Sequence, residues 1–203
     1  MFGKKLRTDV TLTTDRLRLV PMTEAHALSM RNWGRHRSNL YREYNYCEMS
    51  EAELRAWFSQ RCDRHNRYFS ILVEDTVRGF IGLKEISPLR RRSVLGFAVD
   101  RNLEGTGIGT AAMRAFLPVY FTDMGFSSMD LFVYAYNERA IRLYRKLGFR
   151  TIGTTMDLFS NPLNFPSEEE ERACADCFYR TDGGVYAKVF QMRLHAGDVG
   201  RSQ

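Results

Sequence analysis

Between residues 67 and 122 the hydrophobic period changes once, and the change falls on three glycines at alternating positions. Upstream, "RYFSILVE" (67–74), "RGFIGLKEI" (78–86) and "SVLGFAVD" (93–100) are β-rich runs separated by turn signals, which predicts an antiparallel meander. Downstream, Ile108, Ala112, Ala115, Phe116 and Val119 recur at helical spacing. The joint is "RNLEGTGIGTAAM" (101–113), with Gly105, Gly107 and Gly109 at the mouth of that helix. A backbone free of Cβ atoms exposes N–H groups at the positive end of a helix dipole, an arrangement that binds phosphate. The same glycines also suit a plain tight turn. A dinucleotide fingerprint fits worse, because Thr110 stands where its last glycine belongs and no acidic residue closes a second strand about twenty residues on. A Walker loop is excluded, since no Gly-Lys-Ser/Thr follows.

The flanking elements extend this core. "RLRLVPM" (16–22) reads as a half-buried strand stopped by Pro21, and Thr23 can cap a helix to about Trp33. Ser50 and Glu53 form a capping box ahead of Leu54, Trp57 and Phe58, so a second helix starts there. "GRHRSNLYREYNYCEM" (34–49) connects the two helices as a polar, aromatic loop. Pro118 is expected to kink the helix after the glycines. "MDLFVYAY" (129–136) is strand again, "NERAIRLYRKLGF" (137–149) an amphipathic helix capped by Asn137, and "VYAKVFQMRL" (185–194) a closing strand. The expected fold is α/β of mixed type, with a mostly antiparallel sheet of six to seven strands and about four helices on both faces.

At 203 residues the chain suits a single domain, 1–203. A net charge of +6 favours a polyanionic partner without choosing among nucleotide cofactors, nucleic acid and membrane surfaces. The start, "MFGKKLRTDV", has no apolar signal core and no run approaches a bilayer span, so a soluble, cytoplasmic protein with no membrane partner is expected. Four cysteines at 47, 62, 174 and 177 make no disulfide framework, and reduced thiols fit that compartment. Cys174 and Cys177 lack a second pair and His195 is distant, so no metal site is expected. Ser167 and Glu170 in "SEEEER" form another capping box, whereas "ACADCFYRTDGGVYAKVF" equally suits a hairpin turning at Asp182-Gly183.

"LEGTGIGTAAM" followed about thirty residues later by "NERAIRLYRKLGF" resembles the GNAT superfamily of acyl-CoA-dependent N-acetyltransferases. The likeness covers most of the chain, and "TTDRLRLVPMTEAHA" is similar to the opening of its ribosomal-protein N-terminal and spermidine acetyltransferase branch. The family's loop pattern is Gln or Arg, two residues, Gly, one residue, Gly or Ala. Gly107 and Gly109 match its small positions, but Glu104 occupies the Gln/Arg position and Thr106 stands where many members carry Lys or Arg. The loop should then rely on backbone donors from Gly105, Thr106, Gly107, Ile108, Gly109 and Thr110, with Glu104 turned away. A segment at about 157–172 departs from the family as an insertion.

The resemblance implies acetyl-CoA as acyl donor and a primary amine as acceptor, on a protein N-terminus or a small polyamine-like or antibiotic molecule. The donor's pantetheine arm would add to the strand ending at Phe97, Ala98 and Val99, whose N–H groups would hold the oxyanion. Asn137 matches the position contacting that arm, and Tyr144 the residue that protonates the departing sulfur. A phenol near pKa 10 giving its proton to a thiolate near 8.5 runs uphill by about 2 kcal/mol, so hydrogen-bond donation in the transition state is easier to defend than full transfer. Glu85 aligns with a glutamate of the spermidine branch and is the first candidate for the base; it equally suits an ion-paired surface carboxylate. The tyrosines at 41, 44 and 46 would shape the acceptor pocket. Two other readings stay open: an acyl-CoA sensor of the same fold with little chemistry, which Glu104 favours, and a basic nucleic-acid-binding domain, which only the charge supports. The amine, the acyl chain and the oligomeric state, a homo-oligomer included, are not legible.

Overall fold

The computed structural model describes residues 10–63, 65–159 and 161–199. In chain order these form β1 (Leu12–Thr13), β2 (Arg18–Pro21), α1 (Glu24–Ser29), α2 (Glu51–Arg61), β3 (Arg67–Val73), β4 (Thr76–Ser87), β5 (Arg92–Val99), α3 (Ile108–Thr122), β6 (Ser128–Tyr134), α4 (Glu138–Lys146), β7 (Arg150–Leu158), α5 (Glu168–Ala173), β8 (Phe178–Thr181) and β9 (Gly184–His195), with short 3-10 turns between them. The strands make one sheet in the order β1-β2-β3-β4-β5-β6-β9-β7, and β8 pairs with β9 beside that path. Every pairing is antiparallel except β5 with β6.

The caps act where the sequence puts them. Thr23, Ser50 and Ser167 each accept from the backbone N–H three residues on, and Asn137 Oδ1 accepts from Ala140 N. α1 is short and runs into a 3-10 turn at Met30–Asn32 that ends before Trp33. α3 passes through Pro118 without interruption, because proline removes only the bond to the Arg114 carbonyl. Its buried stripe is broader than its sequence period suggests, with Met113, Leu117 and Tyr120 joining Ile108, Ala112 and Phe116. Tyr120 is sealed in because its hydroxyl donates to the Ser128 carbonyl at 2.7 Å and lies 3.0 Å from Ser93 Oγ.

Two cores sandwich the sheet. α3 and α4 cover Phe69, Ile71, Ile81, Leu83 and Leu95, while α1 and α2 cover the opposite side chains, Tyr68, Leu72, Phe80 and Ala98. Helices therefore lie on both faces, as expected. The strand number does not match: nine strands are present among the described residues in place of six to seven. The extra ones are the two-residue β1, the four-residue β8 and the edge strand β7, which is exposed along most of its length and shows no clean apolar alternation. α5 and the β8–β9 hairpin coexist, so the helical and hairpin readings of 167–190 each hold for half of that stretch.

Cys174 and Cys177 are joined in a disulfide, against the expectation of reduced thiols; the helix end at Cys174 and the turn at Ala175–Cys177 bring their Cα atoms to 5.4 Å. Cys47 and Cys62 are free. Among the described residues no helix is long and apolar enough to cross a membrane, and no group of three His, Cys, Asp or Glu is arranged to hold a metal ion.

Candidate active site

β5 ends at Val99, a 3-10 turn covers Arg101–Leu103, and the chain then enters α3 through the glycines. Gly105 and Gly107 have φ of +80° and +83°, the left-handed region that a Cβ disfavours. Gly109 is tight for another reason, since a Cβ there would stand 3.3 Å from both Phe97 and Val99 side chains, which would have to give by a few tenths of an ångström. The N–H groups of Gly105, Gly107, Ile108, Gly109 and Thr110 make no hydrogen bond among the described residues, and α3 has no side-chain cap. Thr106 is different, because its N–H bonds the Leu103 carbonyl and its hydroxyl does the same. Five unpaired donors thus converge at the positive end of a fifteen-residue helix. Gly107→Ala should destabilise the fold by about 1–2 kcal/mol through its backbone angle alone; a lower urea midpoint at unchanged slope will report it.

Glu104 does not oppose an anion here. Its carboxylate is gripped by Arg139 through both guanidinium nitrogens at 2.5 Å and by Arg101 at 2.7 Å, with His36 Nε2 at 3.6 Å. Burial acts to raise the Glu104 pKa, but the Arg139 bonds and charges outweigh it and the net shift is downward. At Thr106, Arg16 donates to the backbone carbonyl at 3.2 Å.

The parallel pairing of β5 with β6 lasts for three residues, Arg92 to Val94 against Ser128 to Asp130, and then the strands part. Two hydrogen bonds fix which amides face the opening. Asp100 N donates to Arg78 O on β4, and the Arg91 carbonyl accepts from Ser127 N on the β6 side. By strand alternation the N–H groups of Leu95, Phe97 and Val99 point into the gap, while that of Ala98 points at β4. Ala98 therefore offers no donor to the gap, and its side chain is buried on the α1 and α2 face.

On α4, Asn137 spends its side-chain oxygen on the helix cap. Tyr144 is 7% exposed and packs on Phe149 at 5.6 Å. Its hydroxyl makes no hydrogen bond within the described residues; the one sealed polar side-chain atom lacking a partner among them is Ser70 Oγ, so the Tyr144 oxygen borders solvent. Burial first, and Tyr44 second, raise its pKa above the ordinary phenol value. Glu85 sits on a bulge of β4 with φ of +51°, exposed, its N–H held by Asn66 and its carboxylate without hydrogen bond or ion pair among the described residues. It lies beyond Lys84, the partner of Val94, on the side where β5 and β6 still pair.

The tyrosine segment lies beside these groups. His36 is 3.6 Å from Glu104 and its ring is 5.5 Å from Tyr41 and 6.3 Å from Tyr44, and Tyr44 in turn influences Tyr144. Burial lowers the His36 pKa, with Glu104 opposing and Arg101 and Arg139 adding to the shift. Tyr46 is elsewhere: it is 7% exposed among Trp33, Trp57 and Phe80, inside the second core. What the sequence did not offer is an aromatic wall continuing from Tyr41 through Tyr136 and Tyr134 to Phe159 and Phe178. The 161–177 segment closes over it: Ser38 donates to Glu170, Asn39 to the Phe165 carbonyl and Asn164 to Glu43. Asp157 accepts from Tyr134 at 2.7 Å.

A family model described as an acetyltransferase (GNAT) domain matches residues 16–150. Among curated proteins, the spermidine N(1)-acetyltransferase of Escherichia coli K12 is 31% identical over 97 residues, 48% of this chain and 52% of that one. The putative ribosomal N-acetyltransferase YdaF of Bacillus subtilis is 24% identical over 107 residues, 53% of this chain and 58% of that one. The matches thus span about half the length of these relatives. Among solved structures, the spermidine N-acetyltransferase of Vibrio cholerae in complex with CoA and spermine superposes with a TM-score of 0.68 at 19% identity, covering 91% of this chain and 98% of that one. A dodecameric structure of the same Vibrio protein gives 0.65 at 20% identity, covering 94% and 100%. With two thirds of its length matched by the family model and the same fold throughout, the chain belongs to the GNAT family of acetyltransferases.

Proposed function

We propose that the chain, acting as one domain, transfers an acetyl group from acetyl-CoA to a primary amine by direct attack within a ternary complex. The observation that carries the reading is the parting of β5 from β6 after Val94, which leaves the Phe97 and Val99 amides open beside the unpaired amides of the glycine loop. The diphosphate sits on Gly105 and Gly107 to Thr110, and the pantetheine arm extends β5 as an added strand, with the Asn137 side-chain amide beside it. The thioester oxygen then faces an N–H of β5, which stabilises the developing oxyanion. Acetyl-CoA supplies the acyl group, and everything else is positioning by this chain.

Tyr144 donates a hydrogen bond to the sulfur as the C–S bond breaks. Its raised pKa makes outright transfer to a thiolate still more uphill, so the proton stays shared through the transition state. The amine must lose a proton to attack, and Glu85, with no hydrogen bond or ion pair on its carboxylate among the described residues and set back from the opening beyond Lys84, takes it through water. The acceptor lies under the tyrosine segment, where Tyr41, Tyr44 and Tyr136 offer ring faces and Glu43, Asp157 and Glu170 offer negative charge. Rings and carboxylates together suit a flexible polycation better than a peptide end with a single charged amine. The spermidine and spermine named for the relatives fit that chemistry. Glu104, being neutralised, no longer favours a sensor without chemistry.

The test is release of free thiol from acetyl-CoA with a panel of spermidine, spermine, an aminoglycoside and peptides with free N-termini. Release with a polyamine at a kcat/KM at least about tenfold above the peptides is expected, a gap of about 1.4 kcal/mol. A rise in Tm with acetyl-CoA but no release with any amine would leave a binding protein and end the transferase reading.

A further inference from the structure

We propose that Glu104 is a positioning residue that holds Arg101 and Arg139 where the donor's phosphates arrive and, through His36, ties the glycine loop to the tyrosine segment. The inference rests on the acyl-CoA reading above and assigns a role to the one loop side chain that charge alone would count against that reading.

A carboxylate directly before Gly105 should repel a diphosphate, yet this one is 12% exposed and its two oxygens are held by Arg139 and Arg101, from two parts of the chain, with His36 Nε2 packed 3.6 Å away. Arg139 uses two of its five N–H groups on it, and Arg101 engages it through a single nitrogen. Both guanidinium groups remain about half exposed, at 47% and 54%, so their remaining donors face solvent beside the unpaired loop amides. Two guanidinium groups hold one carboxylate and a third, Arg16, sits on the Thr106 carbonyl two residues on, so the loop carries a positive surplus. Fixing the arginines beforehand removes the side-chain ordering that a phosphate would otherwise impose.

The link to the acceptor side is equally direct. His36 is buried between Glu104 and the Tyr41 and Tyr44 rings, and its own N–H and carbonyl are held by Asn45. A second tie runs parallel, since buried Asp100 accepts from both Gly34 N and Asn102 N. The stretch 34–36 is therefore tied to the stretch 100–104 by the Gly34–Asp100 hydrogen bond and by the packing of His36 against Glu104. A shift of Glu104 displaces His36 against the tyrosines.

The sign of one substitution decides the matter. If Glu104 were only a negative charge near a diphosphate, Glu104→Gln would tighten CoA. If it positions the arginines, Glu104→Gln weakens CoA by roughly tenfold, because a charged bidentate contact is lost. Calorimetric titration of CoA into the full chain reads this without turnover, and a thermal melt confirms that the variant is folded. Arg139→Ala, on a half-exposed helix surface, should show a similar loss, and the double variant should be little worse than either single one. In steady state, the acceptor KM of Glu104→Gln should rise while kcat at saturation stays within about twofold of the parent. Equal or tighter CoA binding by Glu104→Gln, or fully additive losses with Arg139→Ala, overturns the proposal and leaves the transferase reading intact. No CoA binding by the unaltered chain overturns both.

Discussion

Tyr144→Phe is expected to lower kcat by about a hundredfold or more while changing CoA affinity less than about twofold, the range that loss of one positioned proton donor produces. The geometry makes this substitution unusually clean. The ring fills core space against Phe149 and remains in the variant, whereas the hydroxyl touches no protein group that its removal would orphan. Stability should accordingly move by less than about 1 kcal/mol. Burial keeps the phenol protonated well above neutral pH, so the parent's pH–rate profile should show no falling limb from this residue below about pH 10. A kcat within threefold of the parent, or a large drop in Tm, would assign Tyr144 to packing alone.

The second large effect concerns stability. Asp100 is fully buried and accepts from Gly34 N at 2.8 Å, Asn102 N at 3.0 Å and Arg78 Nη1 at 2.9 Å. Asp100→Ala leaves two amides and a guanidinium without their acceptor, a loss of about 3–5 kcal/mol when all partners are sealed. Arg78 is 32% exposed and regains water, so the lower end, about 3 kcal/mol, is expected. Asp100→Asn should be milder, because its amide oxygen can still accept from Gly34 N and Asn102 N, which share Oδ1, and only the NH2 facing partly exposed Arg78 opposes a donor. Urea unfolding will show a lower midpoint at unchanged slope. The glycine loop starts one turn later, so CoA affinity should fall in parallel, and a change under 1 kcal/mol would mean that other contacts hold the 34–36 and 100–104 stretches together.

The elements legible in the sequence are those whose cause is local. A serine, threonine or asparagine ahead of a helical run finds its acceptor role within three residues, so Thr23, Ser50, Asn137 and Ser167 could be placed without knowing the fold. The meander from Arg67 to Val99 and the glycine turn into α3 are likewise short-range, since turns and φ above zero are properties of a few consecutive residues. β7 escaped because an edge strand exposed along most of its length has no buried face to impose alternation. It exists because β9 offers it a free edge.

For the site, the sequence by itself determined the donors: which amides are stripped of side chains, which helix aims at them, and that an asparagine and a phenol share one stripe of α4. The tertiary structure decided how each charge and ring is used. Arg139 meets Glu104 across 35 residues and His36 approaches it across 68, and Tyr46 enters the core while Tyr41 and Tyr44 line the site. Ala98 and Val99 are adjacent in sequence yet present opposite edges. A carboxylate's meaning depends on its partners and an amide's on the strand beside it. Both are set by contacts between distant segments, which no local pattern encodes.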